Sequence, residues 1–274
     1  EVEAFSADDL RIPYSAIMVV YETRDAISMV HSYSRTYSQI EVEDGNTISD
    51  GHEGCWVLRD CYGILSFAVI HNGSQIKSSQ EITLTITNHS GTSKKVQWIE
   101  ELMSPFETRT IYPSHHFPGL VEFLDGKEGS CSIDYQLNKA FTRLLLGWES
   151  PDKSQLQVTH SNFDYSIHKT DYVEKQNNTG HMIIPPLLDK NMSVVIYPER
   201  AKGDINLTSE SIKSLLLPNK LIKIATQDSE LRFQSIDGKL PSRIVTGIQL
   251  DSKKDSKILQ TECSLGIAHE SRPK

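Results

Sequence analysis

Three residues, His31, His160 and Glu262, have the types and positions that could form a metal site. Each follows an apolar strand-like stretch, in the strings SMVHS, LQVTHS and ILQTEC. If the hairpins around them are related copies, equivalent side chains would point at a shared axis. Two imidazoles and one carboxylate there would suit Zn(II), Fe(II) or Mn(II) and leave positions open for substrate. The competing interpretation is that each is an ordinary half-exposed side chain at a strand end.

The elements that must position these residues are three hairpins, near 14–37, 141–165 and 241–265. In the second and third, an arginine is followed by three strand residues and a glycine, as Arg143 with Gly147 and Arg243 with Gly247. The first copy lacks both marks. A glycine inside a strand indicates a bulge or a close backbone approach. The better-supported part of this repeat is therefore structural.

No stretch matches a motif that fixes a chemistry. The sequence contains no GxSxG nucleophile elbow, no GxGxxG or GxxxxGK[ST] phosphate loop and no CxxC pair. Carboxylate pairs for glycoside hydrolysis can be drawn in several ways, and the sequence does not choose among them. This pattern favours a non-catalytic protein.

Two residues are candidates for direct ligand contact, Trp148 in the central hairpin and His116 in the Pro-bounded segment PSHHFPG. An indole ring can stack on a sugar, although a tryptophan at strand spacing is more often a core residue. His116 follows His115, and adjacent side chains point apart, so at most one of the two would serve a given site. The alternative role for both histidines is that of solvated loop residues.

Short alternating segments dominate the chain and predict an all-β fold. The clearest is EITLTIT at 81–87, which places its apolar residues on one face and ends at an Asn-His-Ser-Gly turn. Strands with turn signals every 8–12 residues are typical of an antiparallel, immunoglobulin-like β-sandwich. We therefore expect one sandwich unit at 14–138 and a second β unit at 139–274. Hairpins at loosely 40-residue spacing leave a β-propeller as the alternative architecture.

Local signals predict further elements. We expect a hairpin of 55–60 with 64–71 around Cys-Tyr-Gly, a hairpin over 181–197, a strand pair of 221–225 with 231–236 and a helical turn at 120–124. The best helix candidate is 207–217, with Thr208 or Ser209 as its N-cap and Pro218 as its stop.

Composition limits the partners. A net charge of −8 and scattered basic residues argue against nucleic acid, and no apolar run reaches the length of a membrane span. The acidic beginning of the chain lacks the features of a signal peptide and favours a cytoplasmic protein, or a secreted one if a signal was removed. Asn-X-Ser/Thr sequons point toward secretion but are also ordinary turn chemistry. The sequence leaves the disulfide status of Cys55, Cys61, Cys131 and Cys263 open.

The leading functional hypothesis is a non-catalytic binding or assembly module whose ligand is a glycan or another protein. Internal pseudo-symmetry and strand edges also allow a homo-oligomer. The competing hypothesis is a metal-dependent hydrolase or oxygenase that uses His31, His160 and Glu262 to hold a metal that polarises substrate or activates water.

Overall fold

The structure of the chain is a computed structural model. The described residues are 16–24, 27–33, 48–72, 76–138, 144–160, 162–165, 179–183, 192–197, 203–217, 220–236, 245–250 and 262–263. The described residues are mostly antiparallel strands with two short helices, which confirms the all-β class.

The described residues between 16 and 165 form a hairpin, two larger sheets and the two helices. The strands are β1 (Ala16–Glu22), β2 (Ile27–Tyr33), β3 (Ile48–Leu58), β4 (Leu65–His71), β5 (Gln80–Thr87), β6 (Ser93–Glu100), β7 (Thr108–Ile111), β8 (Gly129–Asn138), β9 (Leu145–Glu149), β10 (Leu156–His160) and β11 (Asn162–Tyr165). The helices are α1 (Pro113–His116) and α2 (Leu120–Leu124), and the second confirms the predicted helical turn.

One sheet has the order β10-β9-β4-β7 and the other has the order β11-β3-β8-β5-β6. Side chains from both sheets enter one hydrophobic core, together with residues of α2. Its fully buried members include Ile70 on β4, Leu84 on β5, Ile133 on β8 and Leu124 on α2. Alternation along β5 buries Ile82, Leu84 and Ile86 together, as the sequence predicts.

The β1–β2 hairpin packs beside the four-stranded sheet. Ser28 of β2 donates from Oγ to the Val158 carbonyl at 3.1 Å and accepts from the Val158 amide at 2.8 Å. The side chain of Ser28 therefore caps the edge of β10. Val19 and Tyr21 of β1 contact a small cluster formed by Phe67 and Val158.

The C-terminal strands form two further sheets. They are β12 (Thr179–Ile183), β13 (Met192–Tyr197), β14 (Ile205–Thr208), β15 (Lys213–Leu216), β16 (Ile222–Ile224), β17 (Glu230–Ser235), β18 (Val245–Leu250) and β19 (Glu262–Cys263). The sheet orders are β12-β17-β14-β15 and β16-β13-β18-β19. A second core cluster joins them, with Val194 and Ile196 from one sheet and Leu207, Leu231 and Phe233 from the other.

Strand pairing crosses the predicted unit boundary between 138 and 139. β9 pairs with β4, and β11 pairs with β3, so β9 and β11 belong to the sheets of the N-terminal part. The strand order therefore places β9, β10 and β11 in sheets with strands from before residue 139.

The predicted helix at 207–217 is wrong, because this segment is the β14–β15 hairpin. Leu207 is opposite Ser214 in an antiparallel register, and buried positions alternate in β14. The turn between the strands is closed by the Ser209 amide, which donates to the Ile212 carbonyl at 2.9 Å. The Ser209 hydroxyl does accept a hydrogen bond from the amide three residues later, that of Ile212, as an N-cap would. Here that bond closes a turn between two strands and does not begin a helix.

Asp228 fastens this turn to the chain before β17. Its Oδ2 accepts from the Ser209 hydroxyl, from the Ser211 amide at 2.8 Å and from the Ser211 hydroxyl at 2.7 Å. The side-chain hydrogen bonds from Ser209 and Ser211 lower the pKa of Asp228 to about 2.

This arrangement predicts an acid-dependent loss of stability. Because the pKa of Asp228 is lower in the folded chain than its ordinary value of 3.8, its contribution is present above pH 3.8 and is lost as pH falls through about 2. An NMR titration of the Asp228 carboxyl should give a pKa of about 2. In Asp228→Asn, the free energy of unfolding should no longer change with pH between 3.8 and about 2 because of this group. An Asp228 carboxyl that titrates near 3.8 would contradict the hydrogen bonds described here.

Candidate binding surface

Four exposed apolar residues lie in or beside the loop that follows β6. Leu102 and Phe106 in the loop are each 54% exposed, Ile76 on the facing segment is 61% exposed and Ile99 on β6 is 64% exposed. We call these four residues the apolar loop surface. Exposed apolar groups gathered in one region are typical of interaction sites, whereas scattered single ones are ordinary.

The register of β5 and β6 places the facing segment. Gln80 is opposite Glu100, and the same antiparallel spacing continues to an isolated bridge between Lys77 and Met103. The Lys77 and Met103 backbones exchange hydrogen bonds of 2.9 and 3.0 Å. Ile76 precedes Lys77 and Leu102 precedes Met103, so both exposed residues lie next to this bridge, at the open end of the β5–β6 hairpin.

Phe106 has an unusual backbone. The turn Ser104–Glu107 is closed by the Glu107 amide, which donates to the Ser104 carbonyl at 3.1 Å. Pro105 takes the second position of this turn, and Phe106 takes the third with φ of 58°. Glycine is the usual residue there, because a bulky L-residue in the left-handed region costs about 1–2 kcal/mol. The turn therefore places a phenylalanine, with an exposed ring, in a backbone conformation that bulky residues rarely adopt.

Arg109 of β7 holds the loop from one side. Its guanidinium donates to Glu107 at 2.7 Å and to Glu100 at 2.6 Å, and to the carbonyls of Glu101 at 3.1 Å and Leu102 at 2.6 Å. The hydrogen bond from Arg109 is the main cause of the lowered pKa of Glu107. One planar fork thus fixes both ends of the loop.

Asn72 holds the loop from beneath. The side chain is 1% exposed, and its Nδ2 donates to the carbonyls of Met103 at 3.3 Å and Ser104 at 2.7 Å. Its backbone amide donates to the Glu107 carbonyl at 2.8 Å. Asn72 is one of the sequon asparagines, and here its amide has a structural role. Together, Asn72 and Arg109 hold the loop in one conformation before any ligand binds, which lowers the entropic cost of binding.

His116, one of the predicted ligand contacts, lies next to this region. Its ring stacks on Trp98 of β6 with centroids 3.8 Å apart, while His115 contacts Tyr112. Burial lowers the pKa of His116. The Trp98 indole donates to Glu100 at 2.8 Å, and Glu100 also binds the loop arginine. One ring face of His116 is therefore occupied by Trp98.

Trp148, the other predicted contact, lies in the core of the four-stranded sheet. It is 2% exposed, and its indole N–H donates to the Val57 carbonyl at 2.7 Å. The Arg59 guanidinium lies 5.4 Å from the ring centroid. Sugar stacking requires a ring face that is open to solvent, and the Trp148 ring has none.

The structure places the backbones of His31, His160 and Glu262, and their side chains lie outside what it describes. His31 on β2 and His160 on β10 are on neighbouring strands, since Ser28 joins the two. Glu262 is on β19 in a sheet of the C-terminal part. Among the side chains that are described, no group of three or more His, Cys, Asp or Glu could hold a metal ion.

The second and third hairpins differ in register. His160 is opposite Leu145, two residues before the strand glycine of that hairpin, whereas Glu262 is opposite Gln249, two residues after its glycine. Four residues of strand correspond to roughly 13 Å. Positions that look equivalent in the sequence are thus not equivalent within the two hairpins.

Cys61 is not an activated thiol. Cys61 and Cys131 are free thiols. Burial, with the nearby carboxylates of Glu128 and Asp60, raises the pKa of the Cys61 thiol to about 12. A thiol with that pKa is protonated at neutral pH and is a poor nucleophile.

The sequence did not identify the apolar loop surface. Its one signal was the string Ser-Pro-Phe-Glu at 104–107, in which a bulky apolar residue follows the proline of a turn. No protein-family model matches the chain, and a search of curated proteins finds no match. None of the helices in the described residues is long and apolar enough to cross a membrane.

Proposed function

We propose that this chain is a non-catalytic binding module of the β-sandwich type, whose ligand is another protein contacted through the apolar loop surface. The observation that carries the proposal is Phe106. Its backbone is strained, its ring is 54% exposed, and the loop around it is fixed by Arg109 and Asn72. Backbone strain at an exposed aromatic residue supports a role for its ring in contact with a partner.

The shape of the surface supports a protein ligand. Four large aliphatic or aromatic side chains lie outside the core, and the rigid loop beneath two of them reduces the entropy that binding must overcome. Aromatic residues surrounded by polar groups are typical anchors of protein interfaces. Glu101 and Glu107 supply such a polar rim.

Site-specific photocrosslinking tests the proposal. A benzophenone amino acid at position 106 or 102 should give one dominant crosslinked protein from the source cells, identified by mass spectrometry. The same group at Glu122, an exposed residue of α2, is the matched control. Equal crosslinking at all three positions, or none at 102 and 106, would overturn the proposal.

Phe106→Asn separates binding from folding. Asparagine tolerates the left-handed region, so the free energy of unfolding should rise by about 0.5–1 kcal/mol while binding of the crosslinked protein is lost. Denaturant unfolding and titration calorimetry with that partner measure the two effects. Retained affinity would show that Phe106 is not the anchor.

Glycan is the other ligand class considered for a binding module. A glycan array probed with wild-type protein, Phe106→Asn and Trp148→Ala tests this class. Because Trp148 is 2% exposed, its truncation would act through the fold, so a circular dichroism spectrum must accompany the array. A strong glycan signal that is unaffected by Phe106→Asn would favour glycan over protein.

A metal-dependent enzyme is the second candidate function, and one observation favours it. The neighbouring placement of β2 and β10 brings two of the three candidate ligands, His31 and His160, onto adjacent strands. Metal analysis after supplementation with Zn, Fe or Mn, with and without His160→Ala, tests this candidate. Stoichiometric metal that His160→Ala removes would support it, and no stoichiometric metal in the wild type would exclude it.

A further inference from the structure

β6 is an edge strand with an uneven charge distribution. It is the last strand of its five-stranded sheet, and the strand it pairs with in the described part of the chain is β5. Positions 93–95, 97 and 99 are exposed. Lys94 and Lys95 lie at its beginning, Glu100 is its last residue and Glu101 follows it. An edge of this kind has backbone groups available to another strand.

We propose that β6 pairs antiparallel with β6 of a second copy of this chain, about a two-fold axis through Gln97. Antiparallel self-pairing brings the beginning of each strand to the end of the other. Lys95 of one copy therefore meets Glu101 of its partner, and the same contact occurs twice by symmetry.

The register about Gln97 also matches the two faces of the sheet. Lys94, whose Nζ lies 4.2 Å from the Phe117 ring centroid, would be opposite Glu100 of the second copy, which already binds Arg109. Val96 would be opposite Trp98. Val96 and Trp98 are partly buried against the core, so pairing them extends an apolar face that already exists. On the other face, Lys95 would be diagonal to Glu101, within the reach of a long side chain.

This inference rests on the proposed function only in treating the chain as a binding module, because it uses the strand edge and not the apolar loop surface. The main alternative is that Lys94 and Lys95 protect the edge from pairing, as edge lysines often do. An extended segment of a different protein is another occupant. Both alternatives predict that the isolated chain remains monomeric.

Charge reversal provides the test, with sedimentation velocity over a range of concentrations. Lys95→Glu and Glu101→Lys should each raise the Kd of self-association by about tenfold or more, since two attractive contacts become repulsive in each homodimer. An equimolar mixture of the two variants should associate about as well as the wild type, because their heterodimer restores both opposite-charge contacts. Lys127→Glu and Glu122→Lys make the same charge changes at exposed positions outside β6 and should have no such effect.

Salt dependence gives a second measurement that needs no variant. Added NaCl should raise the wild-type Kd, because charges at the edge of the sheet are screened. A monomeric wild type, or a mixture that associates no better than either variant alone, would overturn the inference. The crosslinking from position 106 is independent of this result, so failure here leaves the protein-binding proposal standing.

Discussion

Glu128→Ala is expected to lower the free energy of unfolding by about 3–5 kcal/mol, the usual effect of removing one partner of a buried ion pair. Glu128 is 7% exposed, and its Oε1 lies 3.5 Å from the guanidinium of Arg59, which is 1% exposed. Asp60, beside them, has a pKa raised mainly by burial. Loss of Glu128 would leave the Arg59 charge in the core without its paired carboxylate, and urea unfolding measures the loss.

Two variants refine this expectation. Glu128→Gln keeps the shape and one acceptor, so it should cost less than Glu128→Ala. Arg59→Met combined with Glu128→Leu removes both charges and should recover most of the stability, because a buried pair and an apolar pair of similar volume are often equivalent. If Glu128→Ala lowers the free energy of unfolding by less than about 1 kcal/mol, the ion pair with Glu128 does not contribute much to stabilising the buried guanidinium of Arg59.

Local pattern was a good guide to strands and a poor guide to strand pairing. The alternation in β5 and the Asn88 turn predicted the β5–β6 hairpin, in which Asn88 Oδ1 accepts from the Ser90 and Thr92 amides. The hairpin predicted around Cys-Tyr-Gly is wrong, because β3 pairs with β8 while β4 pairs with β7 and β9. Turn residues report that the chain reverses, but the partner of each strand is set by distant segments.

The same reason accounts for two other errors. β12 and β13 were predicted as one hairpin, and β16 and β17 as one strand pair, but each pair is divided between the two C-terminal sheets. At 207–217 the capping residues were recognised, but Ile205 and Leu207 alternate with a period of two and are both buried. A serine that can cap a helix can also close a turn, and the burial of β14 decides between them.

The candidate surface was less predictable than the fold. Its definition depends on which apolar side chains remain exposed, and exposure follows from long-range packing. Leu102 and Met103 are adjacent in sequence, yet Leu102 is 54% exposed and Met103 is 1% exposed. Nothing in their residue types distinguishes them. Likewise, the capping of the loop by Asn72 joins residues that are 31 and 32 positions apart.

Gly147→Ala is expected to lower the free energy of unfolding by about 2–3 kcal/mol, because this glycine marks the close backbone approach that its place within a strand indicates. It lies between Phe67 of β4 and Val158 of β10 in the sheet register. A Cβ there would lie 2.3 Å from the Gln157 carbonyl oxygen and 2.4 Å from Cζ of Phe67. Neither the strand backbone nor the buried ring can move away without losing sheet hydrogen bonds or core contacts.

Gly91→Ala is the matched control for this substitution. A Cβ at Gly91 would meet nothing within 4 Å, but its φ of 88° imposes backbone strain, so we expect a loss of about 1 kcal/mol. Phe67→Leu added to Gly147→Ala should recover part of the loss, because it removes the ring while the carbonyl contact remains. If Gly147→Ala costs no more than Gly91→Ala in urea unfolding, the close approach of β4, β9 and β10 is not as tight as the structure shows.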